Sequence, residues 1–215
     1  MQSRQLRLGR RQCSSEECHA GLGDDQLSVL HINLRGYVSH IAEVTALLRS
    51  MPRTPTLVVF NETFLTKAIP DVQLEGYTLL ARRDRVDQWG GGVAVFVLAE
   101  HFANASVVEI SEAAERIWTV IHTDRGPYLV SSWYRPPAPG ETDSIQSLEL
   151  EWAKHKEEVR GTLVVGDVNV HSARWLRFWS GESPEGSALR DVCYRSGFQQ
   201  IVKAPHEEII SWTSP

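Results

Sequence analysis

No apolar run in the chain approaches the length needed to span a bilayer, and the N-terminus lacks the apolar core of a signal peptide. Both absences lead us to expect an intracellular protein, nuclear or cytoplasmic rather than secreted. Cysteine is scarce: Cys13, Cys18 and Cys193 are few and odd in number, which argues against a disulfide framework. Cys13 and Cys18, followed by His19, have the look of half a zinc site, but no second pair of ligands at suitable spacing follows. There is no excess of positive charge either. With a net charge of −5 the chain has no general pull toward nucleic acid, so any such binding rests on local patches. Two are visible, Arg4, Arg7, Arg10 and Arg11 near the start, and Arg82, Arg83 and Arg85 after an apolar run. Each reads as a solvated basic stretch or, beside a phosphate-handling site, as part of it.

What is present is an ordinary globular composition, 42% hydrophobic and 23% charged over 215 residues, enough for one domain with a sizeable core. Residues 1–26 are polar and without hydrophobic period, and are expected to form a flexible leader. Leu27 to Asn33 reads as a strand. Ser39 is a candidate N-cap for a helix from His40 to Arg49, where Ile41, Val44, Thr45 and Leu48 recur at helical spacing before Pro52. Thr56 to Phe60 is a nearly continuous apolar run, the mark of a strand covered on both faces, and ends in Asn61-Glu62-Thr63. Short strands follow at Tyr77 to Ala81, Gly92 to Leu98, Val107 to Ile110, Arg116 to His122 and Tyr128 to Tyr134, punctuated by glycine and proline turns. Asp143 to Arg160 carries Ile145, Leu148, Trp152 and Val159 on one helical stripe. Thr162 to Val165 is a further strand, Ser187 to Ser196 a helix closed by Gly197, and Gln199 to Val202 the start of another strand. The aromatics of Trp175 to Trp179 suit either base stacking or a packed subcluster.

Gly166-Asp167-Val168-Asn169-Val170-His171 follows the Thr162 to Val165 strand. In extended chain residues two apart share a face, so Asp167, Asn169 and His171 would point together while both valines turn into the core. A carboxylate, an amide and an imidazole at a strand end suit activation of water against an electrophile such as phosphorus. The competing reading is an Asx turn closing the strand. Asn33, Glu62 and Tyr134 also stand at strand ends, each with a plain surface or rim reading when taken alone.

Taken in order, Ile32-Asn33, Asn61-Glu62-Thr63-Phe64-Leu65, the glycines before Val93-Ala94-Val95-Phe96, Tyr134-Arg135-Pro136-Pro137 and Gly166 to His171 resemble the endonuclease/exonuclease/phosphatase superfamily. More narrowly they resemble the apurinic-endonuclease-like domain that precedes reverse transcriptase in non-LTR retrotransposons. The resemblance covers residues 27–205. It implies a four-layer α/β sandwich, two packed β-sheets flanked by helices, and a Mg²⁺- or Mn²⁺-dependent phosphodiesterase that nicks DNA. It also implies a monomeric unit normally fused to a reverse transcriptase.

Carried over by position, the resemblance makes Glu62 the metal ligand and Asp167 the group that orients or deprotonates the attacking water. Asn169 would hold the water or a phosphate oxygen, Asn33 would support the metal-binding carboxylate, and Tyr134 would donate toward the phosphate. His171 would be a supporting residue, and Arg82, Arg83 and Arg135 would contact phosphates. The superfamily pattern closes with a strand carrying an Asp and then a Ser-Asp-His segment, and this sequence has neither. The last strands are therefore expected to be missing, residues 206–215 to be a divergent tail, apolar surface and strand edges to be left open, and turnover to be impaired. Two other functions stay open: a non-catalytic remnant that binds nucleic acid or a partner, and a phosphatase or phospholipase acting on a small phosphorylated substrate.

Overall fold

The computed structural model describes residues 22–23, 26–85, 90–174, 180–201 and 211–213. Four strands form one sheet: β1 (Val29–Asn33), β2 (Leu57–Asn61), β3 (Tyr77–Arg83) and β4 (Val93–Leu98), in the order β1-β2-β4-β3. The other sheet has the order β5-β6-β7-β8-β10-β9. Its strands are β5 (Ala105–Ile110), β6 (Glu115–Thr123), β7 (Gly126–Tyr134), β8 (Gly161–Asp167), β9 (Gln199–Gln200) and β10 (Ser211–Thr213). Helix α1 (Tyr37–Ser50) lies between β1 and β2 in sequence, α2 (Asp143–His155) between β7 and β8, and α3 (Pro184–Ser196) between β8 and β9.

Side-chain alternation explains the layering. In β2, Leu57 and Val59 join Val93, Val95 and Val97 of β4 in packing against Ile117, Ile121, Val130 and Val165 of the other sheet. Val58 and Phe60, with Ala94 and Phe96, face the opposite way onto Tyr37, Val44 and Leu48 of α1. Every residue of β2 is buried, as a central strand covered on both faces requires. On the far side, Trp118, Leu129, Trp133 and Val164 pack against Ile145 and Leu148 of α2 and Leu189, Val192 and Cys193 of α3. The result is a four-layer α/β sandwich, helix on sheet on sheet on helix. Cys193 is buried, and that burial pushes its thiol up to about 12.

Several boundaries differ from the sequence reading for identifiable reasons. Helix α1 begins at Tyr37, before Ser39, because the Gly36 and Tyr37 amides donate to the carbonyls of Glu62 and Thr63, each at 2.8 Å, in place of a side-chain cap. Helix α2 stops at His155, and after a 3₁₀ turn (Lys156–Glu158) the Arg160 amide donates to the Pro127 carbonyl at 2.8 Å, turning the chain into β8. Helix α3 starts earlier, at Pro184, because the Ser183 hydroxyl accepts from the Gly186 amide; Gly197, at φ 71°, closes it as expected. The strand expected from Gln199 to Val202 is only Gln199–Gln200. The tail holds a strand that the sequence reading did not foresee: β10 pairs antiparallel with both β8 and β9.

Gly166 controls how closely β7 and β8 approach. Its φ is +149°, and a Cβ built there would stand 1.7 Å from the Trp133 carbonyl oxygen, so glycine alone fits.

Candidate active site

The strands that carry the expected site residues end side by side. In the parallel pair β1/β2, Asn33 stands opposite Asn61, and in the parallel pair β7/β8, Tyr134 stands opposite Asp167. The two sheets are joined at this end by hydrogen bonds. Asn33 Nδ2 donates to Glu62 Oε1 at 2.9 Å and to Asp167 Oδ2 at 2.9 Å, placing one amide between two carboxylates. The Asp167 backbone N–H donates to Asn61 Oδ1 at 3.1 Å, and the Asn169 N–H donates to Asp167 Oδ1 at 3.3 Å. Asn169 Nδ2 in turn donates to the Arg135 carbonyl at 3.0 Å. Asn33, Glu62, Asp167 and Asn169 are all partly exposed, so solvent reaches the cluster.

The backbone at this end is strained. Glu62 (φ 50°) and Asn169 (φ 45°) lie in the left-handed region, as do Arg35 (φ 49°) and Phe64 (φ 53°). Residues held in such sparsely populated regions cost on the order of 1–3 kcal/mol each and gather at functional loops. Beyond Asp167 the chain is therefore not extended. Burial still alternates, with Val168 and Val170 buried and Asn169 between them partly exposed, but it is the left-handed turn at Asn169 that presents the amide.

Tyr134 is 6% exposed and packs in the core between the sheets. Its phenol is pushed up to about 12, first by burial and then by the Glu62 carboxylate, with Asp167 and Glu115 adding and Arg85 opposing. The guanidinium of Arg85 lies 5.7 Å from the Tyr134 ring centroid. Its Nε donates to Glu115 Oε1 at 2.7 Å, while Glu115 Oε2 accepts from the Gly92 amide at 2.6 Å.

The arginines proposed as phosphate contacts are placed differently. Arg135 is 1% exposed, and its guanidinium donates to Glu141 and to the carbonyls of Pro136, Ala138, Glu141 and Asn169. It holds the loop behind the site. Arg82 donates to the carbonyls of Ile69 and Thr66 and pairs with Asp84 at 3.1 Å, so its charge is engaged locally. Arg83 reaches the Glu112 carbonyl at 3.4 Å. The His171 side chain is exposed, and its carbonyl accepts from the Ser183 amide at 2.9 Å, tying this loop to the start of α3. Cys13, Cys18, His19, the Arg4 to Arg11 patch, the Trp175 to Trp179 run and residues 206–208 of the tail lie outside the described residues.

Sequence reasoning passed over two buried residues beneath the cluster. Asn61 is 0% exposed and His31 is 3% exposed, and His31 Nε2 hydrogen-bonds Asn61 Oδ1. Asn61 Nδ2 has no partner among the described residues, and an unsatisfied buried polar group costs about 1–3 kcal/mol. Arg85 and Glu115 were passed over as well. Their signal was faint, an arginine already counted in a basic patch and a glutamate at a strand start.

The donor set suits a hard divalent cation. Mg²⁺ is bound through one or two carboxylates plus water and substrate phosphate, and Glu62 and Asp167 converge on one amide. Asn33 Oδ1, on the same amide whose nitrogen holds both carboxylates, is buried and has no hydrogen-bond partner among the described residues. Among the described residues no group of three or more His, Cys, Asp or Glu side chains could hold a metal. A site for such a cation would therefore rely on few protein ligands. No helix among the described residues is long and apolar enough to cross a membrane.

Comparison with solved structures gives the endonuclease domain of TRAS1, a telomere-specific non-LTR retrotransposon, at 12% identity and TM-score 0.63, covering 87% of this chain and 85% of that one. This is the endonuclease/exonuclease/phosphatase fold. The catalytic domain of Xenopus laevis APE2 matches at 16% identity and TM-score 0.57, covering 77% of this chain and 67% of that one. The 3'-5' exonuclease NExo of Neisseria meningitidis matches at 12% identity and TM-score 0.55, covering 88% of this chain and 86% of that one. No family model matches the sequence, and no curated protein does. In this chain's version of the endonuclease/exonuclease/phosphatase fold, the Asn33 cluster lies where β1, β2, β7 and β8 end.

Proposed function

We propose that the protein is a divalent-metal-dependent phosphodiesterase of the retrotransposon endonuclease type, which nicks DNA. The observation that carries this reading is the bridging of Glu62 and Asp167 by a single Asn33 amide across the two sheets. The comparisons support it through what they contain: an endonuclease domain of a retrotransposon, a 3' phosphatase with a product DNA hairpin, and a TDP2 with a single-strand DNA product. A reverse transcriptase in the same polypeptide and a monomeric unit belong to the same proposal.

Glu62, its carboxylate steadied by Asn33 Nδ2, would hold the cation. Bound Mg²⁺ or Mn²⁺ supplies positive charge against the negative charge developing on the phosphoryl oxygens. Asp167 accepts a proton from the water whose oxygen forms the new bond to phosphorus. The bond from phosphorus to the 3' oxygen breaks, and that oxygen takes a proton from solvent water, leaving a 3' hydroxyl and a 5' phosphate. Asn169, its Nδ2 held by the Arg135 carbonyl, keeps its amide oxygen as an acceptor for that water. Tyr134 keeps its proton well above neutral pH and donates it in a hydrogen bond to a phosphate oxygen.

Supercoiled plasmid incubated with the protein and Mg²⁺ tests the reading. Open circles are expected, their formation stopped by chelation and by Glu62→Gln. Nicking without metal, or nicking at the same rate in Glu62→Gln and Asp167→Asn, rejects it. A salt-dependent gel shift without cleavage would instead favour the binding remnant.

A further inference from the structure

We infer that His31 is a positioning residue for Asp167, acting through Asn61. The inference rests on the phosphodiesterase reading above and extends it to a pair buried beneath the cluster. Asn61 Oδ1 receives two hydrogen bonds, from the Asp167 backbone N–H at 3.1 Å and from His31 Nε2. The first fixes the orientation of the amide. A backbone N–H can only donate, so the oxygen of Asn61, and not its NH₂, must face Asp167. The second bond then fixes the imidazole: since Oδ1 can only accept, Nε2 carries a proton.

The geometry makes this pair a brace between the sheets. His31 is on β1 and Asn61 at the end of β2, both in the first sheet, while Asp167 ends β8 in the second. Asn33 ties the Asp167 carboxylate to the same sheet, so Asp167 is held at its backbone by Asn61 and at its side chain by Asn33. With both ends held, the carboxylate has little rotational freedom when water is to be deprotonated. Burial of the pair, with Asn61 Nδ2 left without a partner among the described residues, is a poor way to stabilise a core. An aliphatic pair would fill the space without that penalty, so the use of the amide lies in its oxygen.

The test compares His31→Leu, which fills the space without a donor, with His31→Gln, which keeps an N–H near the Nε2 position. Four quantities are read on the full 215-residue chain: kcat and KM for plasmid nicking in Mg²⁺, the melting temperature, and hydrogen exchange of the Asp167 amide by NMR. His31→Leu is expected to lower kcat about tenfold or more with KM changed less than about twofold, and to speed Asp167 amide exchange about tenfold relative to β7 amides. His31→Gln is expected to recover most of both. Equal rates and equal Asp167 exchange in wild type and His31→Leu overturn the inference. So do losses in both variants that simply follow melting temperature. If the wild-type protein does not nick, the phosphodiesterase reading fails on its own, and the exchange measurement still decides whether His31 braces Asp167.

Discussion

Replacing Asn33 with alanine removes a donor that Glu62 and Asp167 share, and the structure allows the consequence to be worked through. Two hydrogen bonds at 2.9 Å to charged acceptors are lost. A hydrogen bond to a charged group contributes about 1.5–3 kcal/mol net, and water enters this partly exposed cluster to replace part of it. The carboxylates also lose the amide that separates them, so their mutual repulsion rises. A net loss of about 1.5–3 kcal/mol in organisation of the site corresponds to a fall of roughly 10- to 150-fold in nicking rate. Effects on global stability should be small, within about 1 kcal/mol, because water satisfies both carboxylates at the surface. The assay is single-turnover nicking of supercoiled plasmid at saturating Mg²⁺, with thermal melting in parallel. A rate within about twofold of wild type, at unchanged melting temperature, would refute the organising role given to Asn33.

Gly166→Ala should destabilise the fold by about 3–5 kcal/mol, read by urea denaturation or as loss of soluble protein, because its Cβ would stand 1.7 Å from the Trp133 carbonyl oxygen. The Glu151 carboxylate is pushed up by burial, but its hydrogen bond and charge interaction with Arg116, together with hydrogen bonds from Ser111 and Trp118, hold it below its ordinary value. A depressed carboxyl contributes stability that is present above its unfolded value, near 4.5, and is lost as the pH falls through the folded one. Glu151→Gln should therefore lower stability at pH 7 and flatten the acid limb of a stability-against-pH curve; parallel curves for variant and wild type would contradict this. Tyr37, Tyr77 and Tyr134 are each pushed up to about 12, chiefly by burial. Ultraviolet titration should show three phenols ionising late, and folding stability should decline between pH 10 and 12, where the unfolded chain ionises first.

The layers were legible where periodicity was strong. The apolar run at β2 announced a strand covered on both faces, and the stripe of Ile145 and Leu148 announced α2. Boundaries were less legible because long-range backbone bonds set them: no local signal shows that Glu62 and Thr63 carbonyls would cap α1, or that the Pro127 carbonyl would receive Arg160. Strand β10 was hidden for the same reason, its pairing with β8 joining residues far apart in sequence. In the candidate site, strand-end position picked out Asn33, Glu62, Tyr134 and Asp167, which the structure brings to one end of the sandwich. It could not distinguish an arginine facing solvent from Arg135, whose guanidinium is spent on loop carbonyls. Nor could it show that the buried amide of Asn61 crosses to the other sheet.

Everything proposed for this site depends on Asp167 acting as a base rather than as a structural acceptor. The most direct measurement is the single-turnover nicking rate of Asp167→Asn against wild type in Mg²⁺, with DNA affinity measured on the same proteins by gel shift. The substitution keeps an oxygen that can accept from Asn33 while removing the proton acceptor. A fall of about 10²- to 10⁴-fold in rate with affinity little changed is the predicted result. Nicking by Asp167→Asn at the wild-type rate would contradict the account.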